Sequence, residues 1–342
     1  MSMNFIKKLP PAEEIIAHLP LSKEVAELRD KRVDEMKKIL TNEDQRFLLI
    51  VGPCSADHED PVCEYIERLA KVQEKVKDTL LIVPRIYTNK PRTTGEGYKG
   101  MVHQPDPEKA PDMCEGIKAI RRLHIRAISE FGMPAADEML YPENYSYLAD
   151  VLGYVAIGAR SVENQQHRLT VSGVELPVGM KNPTSGDMTV MFNSLIAAHS
   201  NHSFIYNGWE VETTGNPYAH AVLRGAVNAN GENIPNYHFE DLIRTAREYE
   251  RLELVNPAII VDVNHANSMK CFYEQPRISG EVLYSRRYDS LLKKMIKGLM
   301  IESYLEEGRQ GIGENIYGKS ITDACLGWES TEKLIYSIAE NV

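Results

Sequence analysis

The chain has 342 residues, 43% hydrophobic and 26% charged, with 49 acidic against 39 basic side chains and a formal charge of −10. That balance excludes a mainly disordered or fibrous chain, and a surface coated in basic charge for nucleic acid or anionic membrane, though not a local anion site. The length exceeds the usual ~100–200 residues of a domain but suits one large α/β barrel. Cys54, Cys63, Cys114, Cys271 and Cys325 form no CxxC pair and no disulfide framework. The N-terminus carries no signal-like apolar run, and no stretch approaches the ~20 apolar residues of a membrane span. A reducing, soluble, cytoplasmic setting follows, with no membrane and no nucleic acid as partner.

Apolar spacing between residues 11 and 40, interrupted by Pro20, predicts two helices in an N-terminal extension of residues 1–45. FLLIVGP (47–53) reads as a buried strand and is followed by a Glu/Lys-rich helix to about residue 77. LLIVPR (80–85) is a second strand, with a polar loop from Thr88 to Lys109 and a helix near 110–131. Strands follow at PAADEM (134–139), YVAIGAR (154–160) and LPVGMKN (176–182), with helices at about 142–152, 162–172 and 187–200. Asn207-Gly208 marks a hairpin turn within 204–211. AHAVLRG (219–225), AIIVDVNHA (258–266) and GLMIESYL (298–305) complete the strands, with helices at 238–254, 286–297 and 321–339.

Eight near-continuous apolar strands separated by helices mark a parallel sheet covered on both faces. That predicts a (β/α)8 TIM barrel over residues 46–342, with the helical extension before it and a short hairpin insertion before strand 6. A doubly wound open sheet is the runner-up, and it lacks a GxGxxG at its first strand–helix turn. The strands end at Cys54, Arg85, Glu138, Arg160, Lys181, Arg224, His265 and Glu302, with Asp323 just after the last. In a barrel those ends share one mouth. Cys54, His265, Glu302 and Asp323 offer thiolate, imidazole and two carboxylates, a set suited to one divalent metal ion such as Mn, Fe, Co or Zn. Arg85, Lys90, Arg92, Arg160, Lys181 and Arg224 would repel one another without an anion, so small phosphorylated substrates are expected. Thr93, in the KPRT stretch, adds an oxyanion donor.

GPCSA (52–56), KPRTTGEGYKG (90–100), AIGARS (156–161), VGMKN (178–182), HAVLRG (220–225), VDVNHANSMK (261–270), MIESYLEEGRQ (300–310) and YGKSITDACLGWE (317–329) closely resemble the 3-deoxy-D-arabino-heptulosonate 7-phosphate (DAHP) synthases of the microbial type I alpha group. The resemblance implies condensation of phosphoenolpyruvate with erythrose 4-phosphate and water at the entry to aromatic biosynthesis, the shikimate pathway. It makes Cys54, His265, Glu302 and Asp323 the metal ligands. Arg85, Lys90, Arg160, Lys181 and Arg224 would hold phosphoenolpyruvate, and Arg92 and Thr93 the aldose phosphate. Lys181 is then the proton donor, and Glu138 or His265 the base that activates water. A homo-dimer or homo-tetramer built through the extension and barrel-side elements is also implied, as is an aromatic amino acid effector.

Three stretches depart from the family pattern. The family loop reads like KPRTTVGWKG, and this chain has one residue more. Ser161-Val162-Glu163-Asn164 and Asn182-Pro183-Thr184-Ser185 stand where TTES and NGTDG are usual. These changes bear on the aldose pocket. Glu175, where a regulated relative has serine, points to feedback that is reduced, lost or redirected. The competing readings are a synthase using arabinose 5-phosphate and a noncatalytic barrel that keeps a metabolite site.

Overall fold

The structure is a computed structural model that describes residues 3–92 and 95–342. Pro20 divides the N-terminal helical stretch into α1 (Ala12–His18) and α2 (Lys23–Leu40). Ser22 caps α2 by accepting from the Val25 amide at 3.3 Å, and α2 buries Val33, Met36, Ile39 and Leu40. Arginines bind the extension to the barrel wall. Arg29 donates to the carbonyls of Leu152 and Ala149, and Arg121 to that of Leu19.

The barrel opens with β1 (Phe47–Gly52), β2 (Leu80–Pro84), β3 (Ala136–Glu138), β4 (Tyr154–Ile157) and β5 (Val178–Lys181). The hairpin β6 (His202–Tyr206) and β7 (Trp209–Thr213) intervenes, its Asn207-Gly208 turn at positive φ on both residues. β8 (Ala219–Leu223) follows, then the short pair β9 (Ala226–Val227) and β10 (Asn233–Ile234), and β11 (Ile259–Asp262) and β12 (Ile296–Glu302). The main sheet runs β2-β1-β12-β11-β8-β5-β4-β3, with every pairing parallel. A parallel bridge between Arg85 and Ala136, with Ile86 N–H donating to Ala136 C=O at 2.8 Å, joins the two ends and closes the barrel. β1 is buried along its whole length, as a strand covered on both faces must be.

The outer layer comprises α3 (Glu59–Val76), α4 (Met113–Ser129), α5 (Gln165–Val171), α6 (Met188–His199), α7 (Phe239–Leu252), α8 (Gln275–Tyr288), α9 (Ser290–Met295) and α10 (Trp328–Asn341). Three expectations need correction. Residues 142–152 hold only a 3-10 turn, Pro142–Tyr147. The helix expected at 286–297 is two: α8 ends at Tyr288, and Asp289 caps α9 through the amides of Leu291 and Leu292. Most of α8 lies before the expected start. The helix expected at 321–339 begins at Trp328, because the preceding residues form the loop that carries Asp323.

Candidate active site at the barrel mouth

The strand ends converge as the sequence predicts. Arg85, at the end of β2, is almost fully buried, and its Nη2 lies 2.8 Å from Glu302 Oε1 at the end of β12. Asn264 donates to the other Glu302 oxygen at 2.6 Å. Burial works to raise the Glu302 pKa, but His265, Arg85 and Lys90 outweigh it and lower the value to about 2. The buried carboxylate is therefore ionised.

Lys181, ending β5, reaches Asp262 Oδ2 at 2.9 Å, and His265 Nδ1 lies 2.9 Å from the same oxygen. Burial opposes ionisation of Asp262, and the facing His265 and Lys181 hold its pKa well below the ordinary value. The other ring nitrogen, Nε2, lies 3.6 Å from Glu302 Oε1. His265 sits in the left-handed region at φ 52°, a conformation that β11 and the turn after it impose.

Lys90 Nζ lies 3.2 Å from Cys54 Sγ, and Asp323 Oδ2 is 3.8 Å from that sulfur. Burial and the Glu302 charge push the Cys54 thiol pKa up. Donor atoms of Cys54, Glu302 and Asp323 all lie within 4.8 Å of one another, and Glu302 Oε1, ion-paired with Arg85 at 2.8 Å, accepts no well-aligned hydrogen bond. That oxygen, with the Cys54 thiol and the Asp323 carboxylate beside it, makes a donor set that fits a divalent cation. His265 stands beside the trio and outside its 4.8 Å grouping.

Arg224 is buried after β8, where Nη1 has no hydrogen-bond partner. Burial, and Arg160 among its neighbours, lower its pKa, while Asp262, Glu302 and Asp323 act against that. Arg160 is exposed at the rim, and Arg92 is also exposed, its Nε donating to Tyr98 C=O at 2.8 Å. Thr93 lies outside the described residues. Glu138 is buried at the end of β3, packed so closely on Gly158 that a Cβ there would meet Oε1 at 2.1 Å.

Two groups escape the sequence reading. Tyr87 is fully buried and offers its ring to Arg85 at 3.6 Å, Lys90 at 5.6 Å and Lys181 at 5.8 Å. Asp262 passes as part of an apolar strand, although a carboxylate closing IIVD is itself a signal. A cavity of about 570 Å³ between Asp57, Glu108 and Tyr317 contains none of the predicted side chains and reaches only Ile321, two residues before Asp323.

A closed parallel barrel with buried acid–base pairs and crowded cations at the C-terminal ends of its strands is the kind of scaffold on which enzymes build their active sites. Residues 24–335 match the DAHP synthetase I family. The chain is 36% identical to a phospho-2-dehydro-3-deoxyheptonate aldolase of Haemophilus influenzae, covering 98% of this chain and 91% of that one. Against the Phe-sensitive aldolase of Escherichia coli it is 37% identical, over 98% and 95%. The structure of the Francisella tularensis SCHU S4 aldolase superposes with a TM-score of 0.93 at 32% identity, covering 100% of this chain and 98% of that one. The chain belongs to the DAHP synthetase I family and is an enzyme of that type.

Proposed function

We propose that the protein condenses phosphoenolpyruvate with erythrose 4-phosphate and water, giving DAHP and inorganic phosphate at the entry to the shikimate pathway. The observation that carries this reading is the ring of cations, Arg85, Lys90, Lys181 and Arg224, around the Cys54, Glu302 and Asp323 donors. Family membership supplies the substrate pair.

Arg85, Lys181 and Arg224 hold the phosphate and carboxylate of phosphoenolpyruvate, with Arg160 at the rim, and Lys90 stands between the two substrates. Arg92 and Thr93 take the aldose phosphate. C3 of phosphoenolpyruvate attacks the aldehyde carbon, and water adds at C2 as positive charge develops there. Glu138 or His265 takes the proton from that water, and Lys181 gives one to the new alkoxide. The hemiketal phosphate then collapses to the 2-keto acid and releases phosphate. The cations stabilise charge throughout and bring two like-charged substrates together. Cys54, His265, Glu302 and Asp323 would hold one divalent ion (Mn, Fe, Co or Zn), which when bound supplies a Lewis acid for the aldehyde oxygen.

Assembly as a homo-dimer or homo-tetramer through residues 1–45, a cytoplasmic location and an aromatic amino acid effector belong to the same reading. Relatives are named Trp-, Tyr- and Phe-sensitive. Among the described residues no helix is long and apolar enough to cross a membrane. Phosphate release is measured with phosphoenolpyruvate and either erythrose 4-phosphate or arabinose 5-phosphate, across the four metals and with added Phe, Tyr or Trp. Turnover with the four-carbon aldose is expected. Its absence would sink the reading, and release unaltered in Cys54→Ala would remove the metal assignment.

A further inference from the structure

Asp137 is a charged residue in the middle of β3, 2% exposed, and its carboxylate serves two chain segments at once. Oδ1 accepts the Thr88 N–H at 2.8 Å and the Glu138 N–H at 2.7 Å. Oδ2 accepts the Thr88 hydroxyl in a very short hydrogen bond and lies 3.3 Å from Nε2 of His124, a buried residue of α4. These four contacts occupy nearly all the acceptor capacity of a carboxylate.

What the network holds in place is chemical rather than incidental. The ladder joining the end of β2 to β3 stops with the Ile86 N–H on Ala136 C=O. The next inward donor on that chain, the Thr88 N–H, finds the Asp137 side chain instead of a strand carbonyl. Two residues beyond Thr88 is Lys90, whose ammonium lies 3.2 Å from Cys54 Sγ. The same Asp137 oxygen that fixes Thr88 also fixes the amide of Glu138. One carboxylate therefore sets the take-off points of two mouth residues that come from different strands. Gly100, at φ +100°, packs closely on the same loop, where a Cβ would meet Thr88 O at 2.3 Å.

We propose that Asp137 is a positioning residue of the condensation. Through the Thr88 amide and hydroxyl and the Glu138 amide it registers Lys90 against Glu138, with His124 bracing its outer oxygen. This rests on the reading of Lys90 and Glu138 given above, and it adds three residues to the machinery that touch no substrate.

Asp137→Asn keeps the shape but places an NH2 group where the Thr88 hydroxyl and His124 now meet an acceptor. Misplacing a reacting group by a fraction of an ångström to 1 Å costs up to about 10²-fold. The expected loss in kcat/KM for Asp137→Asn is about 10-fold, and for Thr88→Val a few-fold, with thermal midpoints recorded alongside. The decisive measurement is a double-mutant cycle with Lys90→Arg, which keeps the charge. If Asp137 acts through Lys90, Asp137→Asn costs less than about twofold in the Lys90→Arg background. Equal losses in both backgrounds would mean a purely structural role and overturn the proposal, as would full activity in both Asp137→Asn and Thr88→Val. Thr88→Val removes only a hydroxyl, so it decides the case if Asp137→Asn fails to fold. Wild-type enzyme that does not turn over phosphoenolpyruvate with erythrose 4-phosphate fails the reaction reading itself, a result distinct from additive losses in an active enzyme.

Discussion

Lys297 is buried at the start of β12, where Ile259 pairs with Ile296 and Ile260 with Gly298, so that Lys297 is the extra residue of a bulge. Its ammonium makes a very short hydrogen bond to Asn42 Oδ1, and the charged groups acting on it are the cations Arg286 and Lys294. Burial first, and those like charges second, lower its pKa from 10.5 to about 8. The unfolded chain keeps the ordinary value, so below pH 8 folding carries a disfavoured ammonium. At about 1.4 kcal/mol for each tenfold change in proton affinity, that difference is a cost of roughly 3.5 kcal/mol. Lys297→Met keeps the apolar stem, removes that cost and forfeits a hydrogen bond worth about 1 kcal/mol. The expected outcome at pH 7 is a gain of about 2.5 kcal/mol, or about 3–4 °C in Tm for a chain of this length. Between pH 8 and 10.5 the folded protein has shed the proton while the unfolded chain still holds it, so wild-type stability rises with pH. The advantage of the variant should therefore close by about pH 10.5. Thermal unfolding of both proteins at pH 7 and pH 10 checks this. A variant less stable than wild type at pH 7, or an advantage unchanged at pH 10, would refute the reasoning.

Two further outcomes can be read with the same preparations. Gly158→Ala places a Cβ 2.1 Å from Glu138 Oε1, the free end of a side chain, so the fold should survive while the carboxylate moves. A loss of about 10–10²-fold in kcat at a wild-type melting point is expected, and unchanged kcat would remove Glu138 from the machinery. Stripping divalent metal with a chelator should lower both activity and Tm, because an ion at 100 times its Kd adds about 2.7 kcal/mol to the folded state. Add-back of Mn, Fe, Co or Zn should restore both in wild type and neither in Cys54→Ala.

The barrel was legible because runs such as β1 and β2 are apolar and buried along their whole length, a pattern that a sheet covered on both faces imposes. The pair Asn207-Gly208 gave the hairpin for an equally local reason, since both residues must take positive φ. The helices were less legible near the mouth. Pro142 supports only a 3-10 turn, and Asp289 restarts a helix that periodicity alone runs together. At the site, charge at a strand end was enough to find Arg85, Lys181, Arg224 and Glu302. It was not enough to find Tyr87, which has the look of a core aromatic and is tied to the candidate site only by the three cations around its ring. Asp137 and His124 were hidden for the same reason: their use depends on which loop they hold, and that is a tertiary fact.

The overall charge of −10 says little about the mouth, where the pairing of individual cations decides what an anion meets. Arg85 has Glu302 and Lys181 has Asp262, each at 2.9 Å or less, so both are held ready without a ligand. Arg224 is different. It is 8% exposed, its Nη1 has no hydrogen-bond partner, and burial together with Arg160 lowers its pKa. A buried cation short of partners weakens the free protein and strengthens binding of an anion that supplies them. Arg224→Met should therefore have effects of opposite sign. Loss of a charged hydrogen bond to substrate, about 1.5–3 kcal/mol, raises KM for phosphoenolpyruvate by about 10–10²-fold. The free enzyme, relieved of a desolvated guanidinium, should melt at the wild-type temperature or higher. Steady-state kinetics and thermal unfolding without substrate measure the two arms. If the variant melts lower while KM is unchanged, Arg224 is a structural cation and the anion site lies with Arg85 and Lys181 alone.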